Sequence, residues 1–169
     1  MESLEKVKIV LIGESGVGKT CILNQYSKGE FDPNSPPSKT SFFIRKEIKL
    51  PDGNSIEHDI WDHAGAVQYR GLAKIFFKEP KAVVIVYDPT NEKTFEEIKN
   101  YWYNQVKDLN VVLSVVANKC DLAEKKVTDE EGKPYAESIG AIFASISAKD
   151  NTGIEAFFQN IAEAIKNKK

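Results

Sequence analysis

Cysteine is scarce in this sequence. Cys21 and Cys120 are the only two. They are too few for a disulfide framework and lack metal-ligand spacing, so both read as reduced thiols of an intracellular chain. Long apolar runs are missing as well: "VKIVLIG" and "KAVVIVY" fall far short of a bilayer span. The start, "MESLEKVKIV", lacks the basic opening, long apolar stretch and small-residue cleavage site of a signal peptide. Neither sign of charge dominates. The net charge is −2, and no nucleic-acid partner is expected. Arginine occurs only at Arg45 and Arg70. No repeat, low-complexity tract or domain linker interrupts the chain. What is present, 169 residues that are 41% hydrophobic and 28% charged, suits one globular domain over residues 1–169 with a single core.

Against that background the strands are plain. "KVKIVLIG" is a continuous β-branched run, which reads as a central parallel strand covered on both faces. "KAVVIVYD" (81–88) and "NVVLSVVANK" (110–119) read the same way, with "AIFASIS" (141–147) as a weaker fourth. Between them the period becomes helical. "GKTCILNQYSKG" places Ile22, Leu23 and Tyr26 together before a stop at Gly29. "TFEEIKNYWYNQVKDL" aligns Phe95, Ile98, Trp102 and Val106. "TDEEGKPYAESIG" has Thr128 and Glu131 in capping-box spacing and stops at Gly140, with Pro134 predicting a bend or a late start. "GIEAFFQNIAEAIKNKK" is a closing amphipathic helix. "FFIRKEIKL" and "SIEHDIW" flank "PDGN", whose Asp-Gly signals a hairpin. Phe42, Ile44, Ile48 and Leu50 share one side of the first hairpin strand, and Lys46 breaks that apolar side. The pattern predicts an α/β fold, doubly wound, with helices on both faces of a mostly parallel six-stranded sheet and one antiparallel edge strand. The Pro/Ser-rich "DPNSPPSKT" (32–40) reads as a functional loop inside the domain.

"GESGVGKT" carries the chemistry. Gly13, Glu14, Ser15, Gly16, Val17, Gly18, Lys19 and Thr20 fit G-x-x-x-x-G-K-[ST] between a strand and a helix, the context that turns this spacing into a phosphate cradle. Backbone N–H groups curl around phosphates, and glycines allow the close approach. The helix N-terminus adds partial positive charge. Lys19 adds a full charge, and the Thr20 hydroxyl suits Mg²⁺. Cys21 follows as a small core residue beside the nucleotide. "NKCD" (118–121) ends another strand on the ligand-binding edge of the sheet. Asp121 can accept both N–H donors of guanine, where adenine presents an acceptor. Asn118 can tie this loop to the cradle, and the stem of Lys119 can cover the base plane. A P-loop kinase for a small molecule fits poorly, because such enzymes clamp two phosphate donors with several arginines.

Taken together, "GESGVGKT", "PPSKTSFF", "WDHAGAVQYR", "NKCD" and "SAK" (147–149) resemble the Ras-like small GTPases, most closely the Rab branch, over nearly the whole chain. The resemblance implies the P-loop small GTPase fold, GTP and GDP as ligands, and Mg²⁺ as cofactor. It implies that Phe31 packs on the guanine edge and that Ser147, Ala148 and Lys149 complete base recognition. Ser38 falls where the family has a switch threonine that ligates Mg²⁺. Serine keeps the hydroxyl but loses the methyl, which predicts a looser GTP-bound switch. The resemblance also implies that Asp62 faces the metal and that Gly65 offers its N–H to the γ-phosphate, so that phosphate loss would release both switch loops.

The resemblance fails at one point. The family has Asp-Thr-Ala-Gly-Gln-Glu where this chain has Asp62-His63-Ala64-Gly65-Ala66-Val67. Ala66 occupies the place of the catalytic glutamine, and a methyl group cannot hold a water in line. Gln68 is the nearest substitute and needs a rearranged loop. His63 could act as a base but reads first as a solvated histidine, and neither arginine is placed as a built-in finger. Slow intrinsic hydrolysis is therefore expected. The competing reading is a binding platform that stays loaded with GTP. The resemblance further implies an exchange factor, an activating protein and effectors at the switch loops, and a role in vesicle traffic; a monomer is the default expectation. It also implies attachment to the cytosolic face of an intracellular membrane through a prenylated tail. The chain ends "IAEAIKNKK" without cysteine, so such a tail is expected to lie outside it.

Overall fold

A computed structural model describes residues 5–14, 17–28, 42–62, 80–118 and 126–168, with Lys28, Phe42 and Phe43 described for backbone alone. In chain order the elements are β1 (Glu5–Ile12), α1 (Lys19–Lys28), β2 (Phe42–Lys49), β3 (Ser55–Asp62) and β4 (Ala82–Tyr87). Then comes α2, built from α-helical Glu92–Glu97, one π-helical turn Ile98–Trp102 and α-helical Tyr103–Val106. β5 (Val112–Ala117), α3 (Asp129–Ser138), β6 (Ile142–Ser145) and α4 (Ile154–Asn167) follow. The six strands form one sheet in the order β2-β3-β1-β4-β5-β6. All pairings are parallel except β2 with β3. Among the described residues no helix is long and apolar enough to cross a membrane.

The continuous apolar runs became central strands because each face of the sheet needs its own cover. Val7, Ile9 and Leu11 of β1 face Ile22, Leu23 and Tyr26 of α1 and Phe157, Phe158 and Ile161 of α4. Val10 and Ile12 face the other way, with Val83, Ile85, Phe95, Ile98, Trp102, Val106 and Ala136. Each fully buried Ile or Val contributes about 1.5–3 kcal/mol relative to exposure. A strand that supplies side chains to both clusters must read as apolar at nearly every position.

The hairpin forms where Asp-Gly predicted it. Gly53 takes φ +89° and donates its N–H to the Leu50 carbonyl at 3.0 Å, the left-handed residue that a short hairpin loop needs. Lys46, the break in the apolar side of β2, has a defined task. Its ammonium donates to the Tyr26 carbonyl at 2.9 Å and sits 3.7 Å from the centre of the Tyr26 ring. A cation thus satisfies a carbonyl in the last turn of α1.

Two expectations for α3 need correction. Thr128 stands at the N-cap position, but no side-chain capping bond forms, so the capping box is not made. Three carboxylates in the first turn, Asp129, Glu130 and Glu131, complement the positive helix end instead. Pro134 does not delay the start, for the helix runs through it from Asp129. The π-helical turn in α2 had no counterpart in the sequence reading. It carries Ile98 and Trp102, and Val106 follows one turn on; all three are buried.

Candidate functional site

Parallel pairing brings the carboxyl ends of β1, β3, β5 and β6 to one edge of the sheet, and the loops that leave them carry the predicted residues. β1 ends at Ile12, and the chain turns at once. Gly13 takes φ +145°, and a Cβ there would lie 2.3 Å from the Val86 carbonyl oxygen. Only glycine fits so close to β4 in that conformation. Gly18 (φ +95°) makes the second turn, and Ile22 N–H donates to its carbonyl at 2.9 Å to open α1. The first turn of α1 holds no acidic residue, in contrast to α3. Its positive end is left for an anion.

Lys19 is buried, and its ammonium donates to the Gly13 carbonyl at 3.1 Å and the Glu14 carbonyl at 3.0 Å. Burial pushes this ammonium below its ordinary range, while the Asp62 and Glu14 carboxylates pull it back up. A cation held this way gains from an incoming phosphate. The Thr20 hydroxyl donates to the buried Asp62 carboxylate at the end of β3. A hydroxyl and a carboxylate meeting beside a phosphate cradle are hard oxygen donors, and their chemistry fits Mg²⁺. Among the described residues no group of three or more His, Cys, Asp or Glu side chains converges.

Asn118 joins three loops. Its side-chain N–H donates to the Val17 carbonyl at 2.9 Å, and its side-chain oxygen accepts from the Ala148 N–H at 3.2 Å. Its own backbone N–H donates to the Tyr87 carbonyl at 3.0 Å. Asn118, Val17 and Ala148 are all buried. Removing the amide would leave two buried backbone groups unsatisfied, each at about 1–3 kcal/mol. The 147–150 turn is held further by Asp150 N–H to the Ser147 hydroxyl at 3.1 Å. Lys149 is exposed beside it, and Cys21 packs against the core.

Sequence comparison agrees with this geometry. The Ras family profile matches residues 8–167. Ras-related protein Rab-31 from Mus musculus is 36% identical over 98% of this chain and 86% of its own length. Ras-related protein Rab-22A from Homo sapiens is 35% identical over 96% and 85%. Ras-related protein Rab-8B from Dictyostelium discoideum is 37% identical over 95% and 80%. The chain belongs to the Ras family. Within it, this is a Rab-like GTPase.

In this Rab-like chain the structure brings Gly13, Glu14, Val17, Gly18, Lys19, Thr20, Asp62, Asn118, Ser147 and Ala148 to one edge. The tie from Asn118 to the cradle was legible in the sequence. Its second arm, to Ala148, was not foreseen, because the resemblance gave Ser147, Ala148 and Lys149 only a role in base recognition. Ser15, Gly16, Phe31, Ser38, Gly65, Ala66, Gln68, Lys119 and Asp121 lie outside the described residues, as do Gly29, His63, Tyr69, Arg70 and Cys120. Two supporting residues escaped the sequence reading. Gln25 is buried and donates to the Ala148 carbonyl at 2.7 Å. A polar residue one turn past Ile22 on the apolar stripe was its signal. Trp102 donates its indole N–H to the Glu14 carboxylate at 2.9 Å, and as one of several apolar residues on α2 it gave no such sign.

Proposed function

We propose that this chain is a single-domain, monomeric guanine-nucleotide switch for vesicle traffic that cleaves GTP slowly on its own. The observation that carries the proposal is Asn118, bridged to the phosphate cradle at Val17 and to the 147–149 loop at Ala148. One ligand can then span a phosphate site and a purine site. In this reading Gly13 to Thr20 surround the phosphates, and Lys19 neutralises the terminal pair. Asp121 accepts from guanine, Phe31 packs on its edge, Lys119 covers its plane, and the Ser147–Lys149 turn closes over it. Thr20, Ser38 and Asp62 hold Mg²⁺, which when bound offsets phosphate charge. Gly65 reports the γ-phosphate to the switch loops, where exchange factor, activating protein and effectors dock. A lipidated tail outside this chain would attach the protein to the cytosolic face of a membrane.

Ala66 is the reason for slow cleavage. Nothing at that position orients the attacking water, and positioning is most of what such a site supplies. Single-turnover GTP cleavage by the isolated chain tests this beside Ala66→Gln. The substitution is expected to raise the rate at least about tenfold, as a restored positioning group should. A native rate already fast, and unmoved by the glutamine, would overturn slow hydrolysis. Ala66 also favours a second reading, a GTP-loaded platform for effectors. The nucleotide retained through purification separates the two: GTP points to the platform and GDP to the switch.

A further inference from the structure

The cradle carries a carboxylate of its own. Glu14 stands between Gly13 and the rest of the loop, and its backbone carbonyl accepts from Lys19 at 3.0 Å. A free carboxylate at this point would repel any phosphate that Lys19 attracts. The structure keeps it engaged. Trp102 donates its indole N–H to Glu14 Oε1 at 2.9 Å. Trp102 is fully buried and belongs to the apolar cluster opposite α1, whereas the cradle leads into α1 itself. The bond therefore draws the Glu14 side chain toward the far face of the sheet. Trp102 closes the π-helical turn Ile98–Trp102, and such turns are frequent at functional sites.

We propose that Trp102 is a positioning residue for phosphate binding, its indole N–H holding the Glu14 carboxylate against α2 and out of the cradle. The inference rests on the cradle receiving phosphates and deepens that reading. An indole is well suited to the task, since it offers one donor and no acceptor on a body that fills the core. Replacing it by phenylalanine removes this donor and keeps an apolar ring, so the carboxylate loses its tie to α2.

The test is a double-mutant cycle between Trp102→Phe and Glu14→Gln, read as affinity for GDP with Mg²⁺ and for inorganic tripolyphosphate. Trp102→Phe should weaken both ligands about tenfold, the scale of one unit charge brought near a partly buried anion. In the Glu14→Gln background the same tryptophan change should cost less than about twofold, because no charge is released. Both tryptophan variants share any packing defect, so the comparison separates charge from stability. An equal loss in the two backgrounds would overturn the proposal. Tripolyphosphate carries phosphates without a base. A chain that binds it but not GDP refutes guanine recognition and leaves the tether testable, and a wild-type chain that binds neither refutes the cradle and the tether together. A spectroscopic check needs no ligand. The chain has two tryptophans, so Trp61→Phe leaves Trp102 as the sole indole emitter. Adding Glu14→Gln should shift its emission maximum, and an unmoved spectrum would count against the contact.

Discussion

Gly13 shows how much of the site depends on what a residue lacks. β1 must end, the chain must turn, and β4 lies so close that a Cβ would sit 2.3 Å from the Val86 carbonyl oxygen. Gly13→Ala adds that clash to a backbone at φ +145°. It is expected to cost at least about 2 kcal/mol in urea unfolding, from left-handed strain plus overpacking. A loss under about 0.5 kcal/mol would mean that β4 yields easily, which close-packed interiors seldom do. On the proposed reading, Ala66 works through the opposite deficiency, a side chain too short to position a water. The first deficiency shapes the cradle, and the second is proposed to hold back its chemistry.

Elements were legible where one rule decided them. β1 and β4 are buried on both faces, so composition alone identified them. Asp52-Gly53 set the hairpin, because few residues tolerate the backbone that Gly53 adopts. Thr128 misled because three neighbouring carboxylates do the work of a cap. The tether from Trp102 to Glu14 was hidden because it joins residues far apart in sequence, and spacing rules are local. The readings of Ser38, Gly65 and Ala66 rest on family pattern alone, and these residues lie outside the described ones. Lys46 looked like an error in the apolar side of β2 and proved to be a cap for α1. Lys46→Met keeps the stem but removes the charge. It is expected to lower stability by about 1 kcal/mol, the sum of a lost helix-end contact and a lost cation–π contact. Paired urea titrations of the two proteins measure it, and an unchanged midpoint would show the cap to be idle.

The molecule as a whole carries a pH dependence in His58. The ring lies in β3, fully buried, opposite Lys46 in the β2–β3 register. Among the described residues neither ring nitrogen has a hydrogen-bond partner. Burial lowers its pKa from 6.5 to about 4, against a smaller upward pull from Asp59. The unfolded chain therefore binds a proton that the folded chain refuses. Stability is full above about pH 7 and falls as the pH drops from 6.5 toward 4. Between pH 7.5 and 5 this group alone should cost about 2 kcal/mol. His58→Leu should remove that share of the pH slope, and a variant with an undiminished slope would assign the loss to other groups. Strand order has a consequence of another kind. Ribosomes deliver the phosphate loop before the strands that flank it, for β1 lies between β3 and β4, and Asn118 finds a support at Ala148. A nascent chain that stops short of residue 148 has the loop without the bracket that holds it, so on the proposed reading firm capture of nucleotide must wait until residue 148 has been made.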